Sequence, residues 1–191
     1  MINELIYDFA IWLDDSAWST LLHESYYMYN WVESIHVLTL VVCLGMLFMI
    51  DLRMLGYALP NVPASNIARR LNMPMLIGFA IMFITGILLF YAVPVRTSQS
   101  VWFRVKMILL VACAVNAYLF HRRMNESVSS WDHDTKAPDR IRFGAIFSLG
   151  FWSLVVICGR LVAYDWFDCE YTDSDNFSQL LSGCIAGQER F

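Results

Sequence analysis

Four ionisable side chains lie near the ends of long apolar stretches, and all four fall at the same predicted membrane face. Two of them, Glu33 and His36, are at the start of the first stretch, whose other end is marked by Asp51 and Arg53. Lys106 is five residues into the third stretch, and Arg160 is close to the end of the fourth. At about 1.5 Å of rise per helical residue, they lie within roughly 8 Å of one interface. An ionisable residue inside a membrane span needs a partner and commonly marks function, so this level predicts a polar pocket.

A pocket with one imidazole, one carboxylate and two cations suits an anionic cofactor whose metal ion is also coordinated by an axial nitrogen. Haem b is such a ligand: His36 would ligate the iron, and Lys106 and Arg160 would pair with its propionates. The second axial ligand would be His23 if the N-terminal segment folds over the pocket, with Met28 as the weaker choice. The predicted cofactor is therefore haem b, with His36 and His23 as metal ligands.

Structural interpretations of the same residues remain open. Glu33 could form an ion pair with Lys106 or Arg160 that locks the bundle, since a buried charge persists when it is paired. Both cations could also extend to the interface without binding anything. His36 could be a hydrogen-bonded core histidine. His121 is fifteen residues beyond Lys106, so it lies at the opposite face and is most simply a basic anchor.

Other chemistries are excluded by missing residues. Glu33-x-x-His36 occurs once, whereas a di-iron helix bundle needs the motif twice. The ten Met residues are scattered, which argues against a copper site. The sequence has no phosphate loop, dinucleotide-binding turn, CxxC or CxxCH. An electron-transfer or accessory subunit is therefore favoured over a stand-alone enzyme, although enzymatic activity is left open.

The composition is that of an integral membrane protein. Of the 191 residues, 58% are hydrophobic and 16% are charged, with a mean hydropathy of +0.51. A soluble domain carries roughly 25% charged residues. The basic residues are dispersed and the net charge is -4, so nucleic acid is excluded as a partner.

The pattern predicts an all-α membrane protein, a bundle of four transmembrane helices with an amphipathic N-terminal helix. The bundle covers residues 31–164, with spans at about 31–54, 75–93, 101–120 and 143–164. Residues 1–30 form an aromatic interfacial segment, and residues 61–72 a surface helix that Ser65 could cap. Residues 165–191 form an acidic tail.

Small and polar residues at helical spacing predict which helix faces point into the bundle. Three stripes are Glu33, His36 and Cys43; Lys106, Cys113 and Ala117; and Ser153 and Arg160. Glycines in the second span, Gly78 and Gly86, would allow neighbouring helices to approach closely.

The basic residues predict the orientation. Three follow the first span and five follow the third, against three at the other face. The positive-inside rule then places both termini in the periplasm of a bacterial inner membrane. That compartment permits a disulfide between Cys169 and Cys184. The sequence leaves open whether these two cysteines are bridged or free. Cys43, Cys113 and Cys158 lie in spans and are predicted core thiols.

Several short motifs resemble an uncharacterised family of small bacterial inner-membrane proteins with four spans. They are VESIH and DLRMLG at the two ends of the first span, Phe103-x-x-Lys106 with Asn116 in the third, and GRLVAY at 159–164. The resemblance covers most of residues 30–164. The layout is also similar to that of four-span haem b and copper-resistance membrane proteins, an analogy of architecture.

The leading functional hypothesis is a small membrane redox subunit. It would bind haem b near the periplasmic face and pass electrons to or from a partner. One alternative is a non-catalytic accessory subunit, bound to a larger membrane complex through the N-terminal helix and tail. A second alternative is a metal or small-solute carrier. The predicted partners are the lipid bilayer and a membrane or periplasmic protein.

Overall fold

A computed structural model of the protein describes residues 2–25, 27–164 and 181–184. In these ranges the chain forms seven α-helices and no strand. In chain order the helices are α1 (Ile2–Asp14), α2 (Ala17–Glu24), α3 (Met28–Leu55), α4 (Ala64–Ala92), α5 (Pro94–Ser98), α6 (Val101–Trp131) and α7 (Asp139–Val162).

Four of these helices, α3, α4, α6 and α7, are long and apolar enough to cross a membrane. The shortest, α7, has 24 residues. At about 1.5 Å per residue it spans about 36 Å, which exceeds a hydrocarbon core of about 30 Å. The prediction of an all-α protein with four membrane-length helices is confirmed.

Two helices extend beyond the predicted spans. The surface helix predicted around Ser65 is continuous with the second span, because α4 begins at Ala64 and runs through Pro74. A proline inside a membrane helix is tolerated where neighbouring groups compensate for the missing backbone donor. α6 continues past residue 120 to Trp131, and an Arg122–Glu126 ion pair at 2.9 Å supports this polar extension.

The predicted amphipathic N-terminal helix is confirmed as α1, which α2 follows after a short turn. Ala10 on α1 is buried, whereas Phe9 and Trp12 are exposed and stack with ring centroids 5.9 Å apart. α1 packs against α5. The exposed aromatic rings suit the headgroup region of a bilayer.

The described chain forms two compact units. The first unit takes its described residues from Met1–His36, Ile84–Ile108 and Val155–Phe191, and the second comprises Val37–Phe83 and Leu109–Leu154. In the first unit, Ser16 caps α2 and hydrogen-bonds the Tyr91 hydroxyl. Ser19 Oγ donates to the Tyr91 carbonyl at 2.9 Å. These bonds attach α2 to the end of α4.

The second unit has an apolar core contributed by α3, α4, α6, α7 and the loop before α7. Its buried members are Ile50, Met54, Leu55, Ala64, Ile67, Met124, Trp131, Ala137, Ile141 and Ala145. This core lies beside the ends of the helices, where the connecting loops also pack.

Arg53 is fully buried in the second unit and binds three backbone carbonyls. Its Nε donates to the Val62 carbonyl at 2.7 Å, and Nη2 and Nη1 donate to Asp134 and Thr135 at 3.0 and 3.3 Å. A guanidinium has five N–H donors in a rigid fork, so one side chain can bind carbonyls from two loops. Arg53 was predicted as a basic residue at a span end, and the structure makes it an internal clamp between the loop before α4 and the loop before α7.

Asp132 caps the start of α4 from the end of α6. Its carboxylate accepts from the Ser65 amide at 2.7 Å and from the Ser65 hydroxyl at 2.6 Å. Desolvation alone would raise the pKa of Asp132, but these hydrogen bonds and the positive charges of His133 and Arg53 lower it below its ordinary value. A carboxylate at a helix N-terminus is favourable, so the cap stabilises the ionised form. The sequence predicts Ser65 itself as the capping residue. In the structure Ser65 is instead the donor, and Asp132 provides the cap.

Candidate functional site

His36, the centre of the predicted outer site, is half-buried and oriented by a hydrogen bond. Its Nδ1 lies 2.8 Å from Thr85 Oγ1 on α4. An added Cβ on Gly86 would lie 3.5 Å from His36 Cε1, so the ring packs against the backbone of α4 at this glycine. Thr85 itself is buried.

Lys106, Arg160 and Glu33 have different surroundings. Lys106 is half-buried, with its Nζ 3.6 Å from where a Cβ on Gly159 would lie. Arg160 is exposed, and its guanidinium donates to the Tyr164 hydroxyl at 2.8 Å and lies 4.8 Å from the centre of that ring. Glu33 is exposed. Within the described ranges, no salt bridge joins Glu33 to Lys106 or Arg160, so the proposed ion-pair lock is not formed.

The predicted inward-facing stripes are buried only in part. Cys43 and Cys113 are buried, as expected for core thiols, whereas Glu33 and Ala117 on the same stripes are exposed. Ser153 and Arg160 are both exposed in the chain, because Ser153 Oγ turns back to its own helix carbonyl at Leu149 and Arg160 pairs with Tyr164. Helical spacing groups these two residues on one face but does not decide which way that face points.

The remaining predicted site residues lie on α2, at the start of α3 and in the tail. His23 is an exposed residue in the last turn of α2, and Met28 is exposed at the start of α3. Cys184 is disulfide-bonded. Cys169, its predicted partner, lies outside the described residues, so the pairing stays a prediction. In the described part of the chain, no three His, Cys, Asp or Glu side chains form a group that could hold a metal ion.

A cavity of about 340 Å³ lies within the second unit, among α3, α4, α6 and α7. Most of its wall is apolar and aromatic. Its polar lining comes from one side chain or more on each of the four helices: Asp51 on α3, Asn72 on α4, Asn116 and His121 on α6, and Ser148 on α7.

Asp51 is the most unusual of these residues. Its side chain is only 5% exposed, although it sits in a helix that is long enough to span a membrane. Ser148 lines the same cavity, and the Asp51 Oδ2 atom is buried with no hydrogen-bond partner. Burying a carboxylate without full pairing is costly, so this carboxyl group is a candidate ligand-binding group.

The other polar groups around the cavity include donors as well as acceptors. Asn116 Nδ2 donates to the Gly144 carbonyl at 3.0 Å, which orients the amide. Asn72 and His121 also line the cavity, and each can donate and accept hydrogen bonds. Chemically, the cavity can bind a small molecule that forms hydrogen bonds and has an apolar body.

Sequence reasoning missed this cavity because Asp51 was read as a marker of the span end. The signal was nevertheless present: Asp51 is an ionisable residue four positions inside the last residue of α3. Asn116 also occurred in the family motif quoted above. Polar residues from all four long helices line this cavity, and a coincidence of this kind is also what selects His36 in the sequence.

A family model described as a family of unknown function, DUF6644, matches residues 14–165. The chain belongs to DUF6644. The matched region includes all four long helices and every residue that lines the cavity. It agrees with the resemblance to an uncharacterised four-span family, and the family description assigns no function.

No curated protein and no solved structure matches the chain. The function of this DUF6644 member therefore has to be argued from its own residues.

Proposed function

We propose that this DUF6644 protein is a membrane carrier for a small solute, with the Asp51 cavity as the binding site. The observation that carries the proposal is the buried carboxyl group of Asp51, which lines a cavity of about 340 Å³ and has one oxygen without a hydrogen-bond partner. That volume lies at the lower end of the range for small-ligand sites. A structural role alone gives no reason to bury an unpaired carboxylate oxygen, since an apolar residue would be more stable there.

We also infer the orientation from the basic residues. Eight of them lie in the segments that follow the first and third spans. By the positive-inside rule, this favours both termini in the periplasm of a bacterial inner membrane. On this orientation the cavity lies toward the cytoplasmic face. The exposed aromatic residues of α1, such as Phe9 and Trp12, would anchor the N-terminus in the outer headgroup region.

A carrier must expose its site to each side of the membrane in turn, and Cys113 allows this to be measured. Cys113 lines the cavity, whereas Cys43 is buried elsewhere in the same unit. We expect the membrane-impermeant thiol reagent 2-(trimethylammonium)ethyl methanethiosulfonate to label Cys113 in right-side-out and in inside-out vesicles. Peptide mass spectrometry should show Cys113 reacting at least about tenfold faster than Cys43, because water-filled access is required for reaction.

Ala117→Leu serves as the control, because Ala117 lines the same cavity and a larger side chain would fill it. Labelling of Cys113 should slow in this variant, while labelling of Cys43 should be unchanged. Labelling from one side alone, or from neither side, would overturn the carrier proposal. Labelling from neither side would favour the accessory-subunit alternative, in which the N-terminal helices and tail bind a larger complex.

The second candidate is the haem b redox subunit, and the His36–Thr85 hydrogen bond favours it. Histidines that ligate metals usually have their other ring nitrogen hydrogen-bonded, which fixes the ring. His36 Nδ1 has this arrangement with Thr85 Oγ1. His23, Lys106 and Arg160 would complete the set as predicted. Haem b, when bound, would supply one-electron transfer with a membrane or periplasmic partner.

An absorption spectrum tests the haem proposal. The protein, purified from cells supplied with a haem precursor, should show a Soret band and sharp bands after dithionite reduction. His36→Ala should remove them, and His121→Ala, which changes a histidine at the other end of the spans, should leave them unchanged. A colourless protein of normal stability would exclude this candidate.

A further inference from the structure

We propose that the ligand of the Asp51 cavity is a small organic monocation, an ammonium group on an apolar body, whose charge pairs with the Asp51 carboxylate. This inference rests on the proposed function in that the cavity must be the binding site. It adds the chemical class of the ligand, which the carrier proposal leaves open.

The charge of the cavity lining supports a cation. Among the described residues that form the wall, Asp51 is the acid, and neither Lys nor Arg is present. Arg53, two residues further along α3, forms no salt bridge with Asp51 in the described part of the chain, and its three side-chain nitrogens donate to the carbonyls of Val62, Asp134 and Thr135. A bound ammonium would supply a paired positive charge and a donor for the Asp51 carboxylate.

The charge of the lining also disfavours an anion. The Asn72 and Asn116 amides and the His121 imidazole offer both donors and acceptors, so they do not select the sign of a ligand's charge. A carboxylate or phosphate ligand would be repelled by the Asp51 carboxylate, whereas an ammonium would be attracted to it.

The walls favour an organic body over a bare ion. Phe79 and Trp152 lie against each other with ring centroids 5.4 Å apart, and both line the cavity together with Phe120. Aromatic faces attract cations and bury apolar groups. A divalent metal ion, by contrast, takes several oxygen ligands, and the cavity offers one carboxylate.

Three probes of nearly equal shape separate charge from size: benzylammonium, benzyl alcohol and benzoate. Binding is measured by calorimetry on the full-length protein in lipid nanodiscs, with protein-free nanodiscs as the reference for partitioning into lipid. We expect benzylammonium to bind at least roughly tenfold more tightly than benzyl alcohol, and benzoate not to bind. In Asp51→Asn the advantage of benzylammonium should disappear while benzyl alcohol still binds, which also shows that the variant is folded.

Two control variants accompany the measurement. Asp139→Asn removes an exposed carboxylate that pairs with Arg142, and it should leave all three affinities unchanged. Ala117→Leu keeps Asp51 but fills the cavity, and it should abolish binding of both benzyl probes.

The outcomes distinguish this inference from the proposed function. Equal affinities for benzylammonium and benzyl alcohol in the wild type would overturn the cation preference and leave the cavity as the binding site. A preference that persists in Asp51→Asn would overturn the assignment of the charge to this residue. Failure of every probe to bind the wild type, together with slow labelling of Cys113, would overturn the binding site itself.

Discussion

Replacing Arg53 with Met should lower the free energy of unfolding by about 3–5 kcal/mol. The physical reason is the set of three carbonyls, of Val62, Asp134 and Thr135, that the guanidinium binds in a fully buried position. Methionine is long enough to fill the space but donates no hydrogen bond, so the carbonyls would lose their buried partner. Equilibrium unfolding in mixed detergent micelles, followed by tryptophan fluorescence, measures the change.

Arg53→Lys should fall between the wild type and Arg53→Met, because an ammonium keeps the charge but cannot reproduce the planar fork. Arg122→Met is the matched control. Arg122 is 65% exposed and pairs with Glu126 on its own helix, so its loss should change stability by less than about 0.5 kcal/mol. If both arginine-to-methionine variants were equally stable, the clamp would have no energetic role.

Gly78→Ala should lower the free energy of unfolding by about 1–3 kcal/mol, although alanine is the better helix former. A Cβ on Gly78 would overlap Cys43 Sγ, because the glycine lets α4 approach α3 at this point. Cys43 is fully buried, so its side chain has little room to move. The same unfolding experiment measures the loss.

Removing the thiol should relieve the overlap. The double variant Gly78→Ala with Cys43→Ala should be more stable than the sum of the single changes predicts, by about 1 kcal/mol or more. Gly150→Ala is the control, because an added Cβ there meets no atom within 4 Å. It should be neutral or slightly stabilising through helix propensity. Additive behaviour in the double variant would contradict the close contact between Gly78 and Cys43.

These two sites show how far sequence reasoning reached. Gly78 is predicted to permit close helix approach, and the structure identifies Cys43 Sγ on α3 as the atom that the backbone of α4 approaches at this glycine. Arg53 was assigned to the membrane interface by its position after an apolar run. Its burial could not be predicted, because its partners are backbone carbonyls of loops that follow different helices and are 9, 81 and 82 residues away in sequence.

The candidate site also combines features that the sequence predicts with contacts that only the structure shows. Asp51 and His36 both occur in the first apolar run, and sequence reasoning selected His36 because Lys106 and Arg160 fell at its level. In the structure Arg160 donates a hydrogen bond to Tyr164, whereas Asp51 lines a cavity together with Ser148 and Asn116. A shift of two residues changes the direction of a helical side chain by about 200°, so depth along the membrane alone does not determine contacts.

The sequence by itself determined the membrane class, the four long helices, the amphipathic N-terminus and the family. Each of these depends on hydropathy, length or motifs, which are properties of continuous segments of the chain. The tertiary structure alone decided that Arg53 binds loop carbonyls, that Arg160 is exposed and that Asp51 lines a cavity. The reason is physical: the rotation of each helix about its axis is set by packing against residues distant in sequence, and burial and partners follow from that rotation.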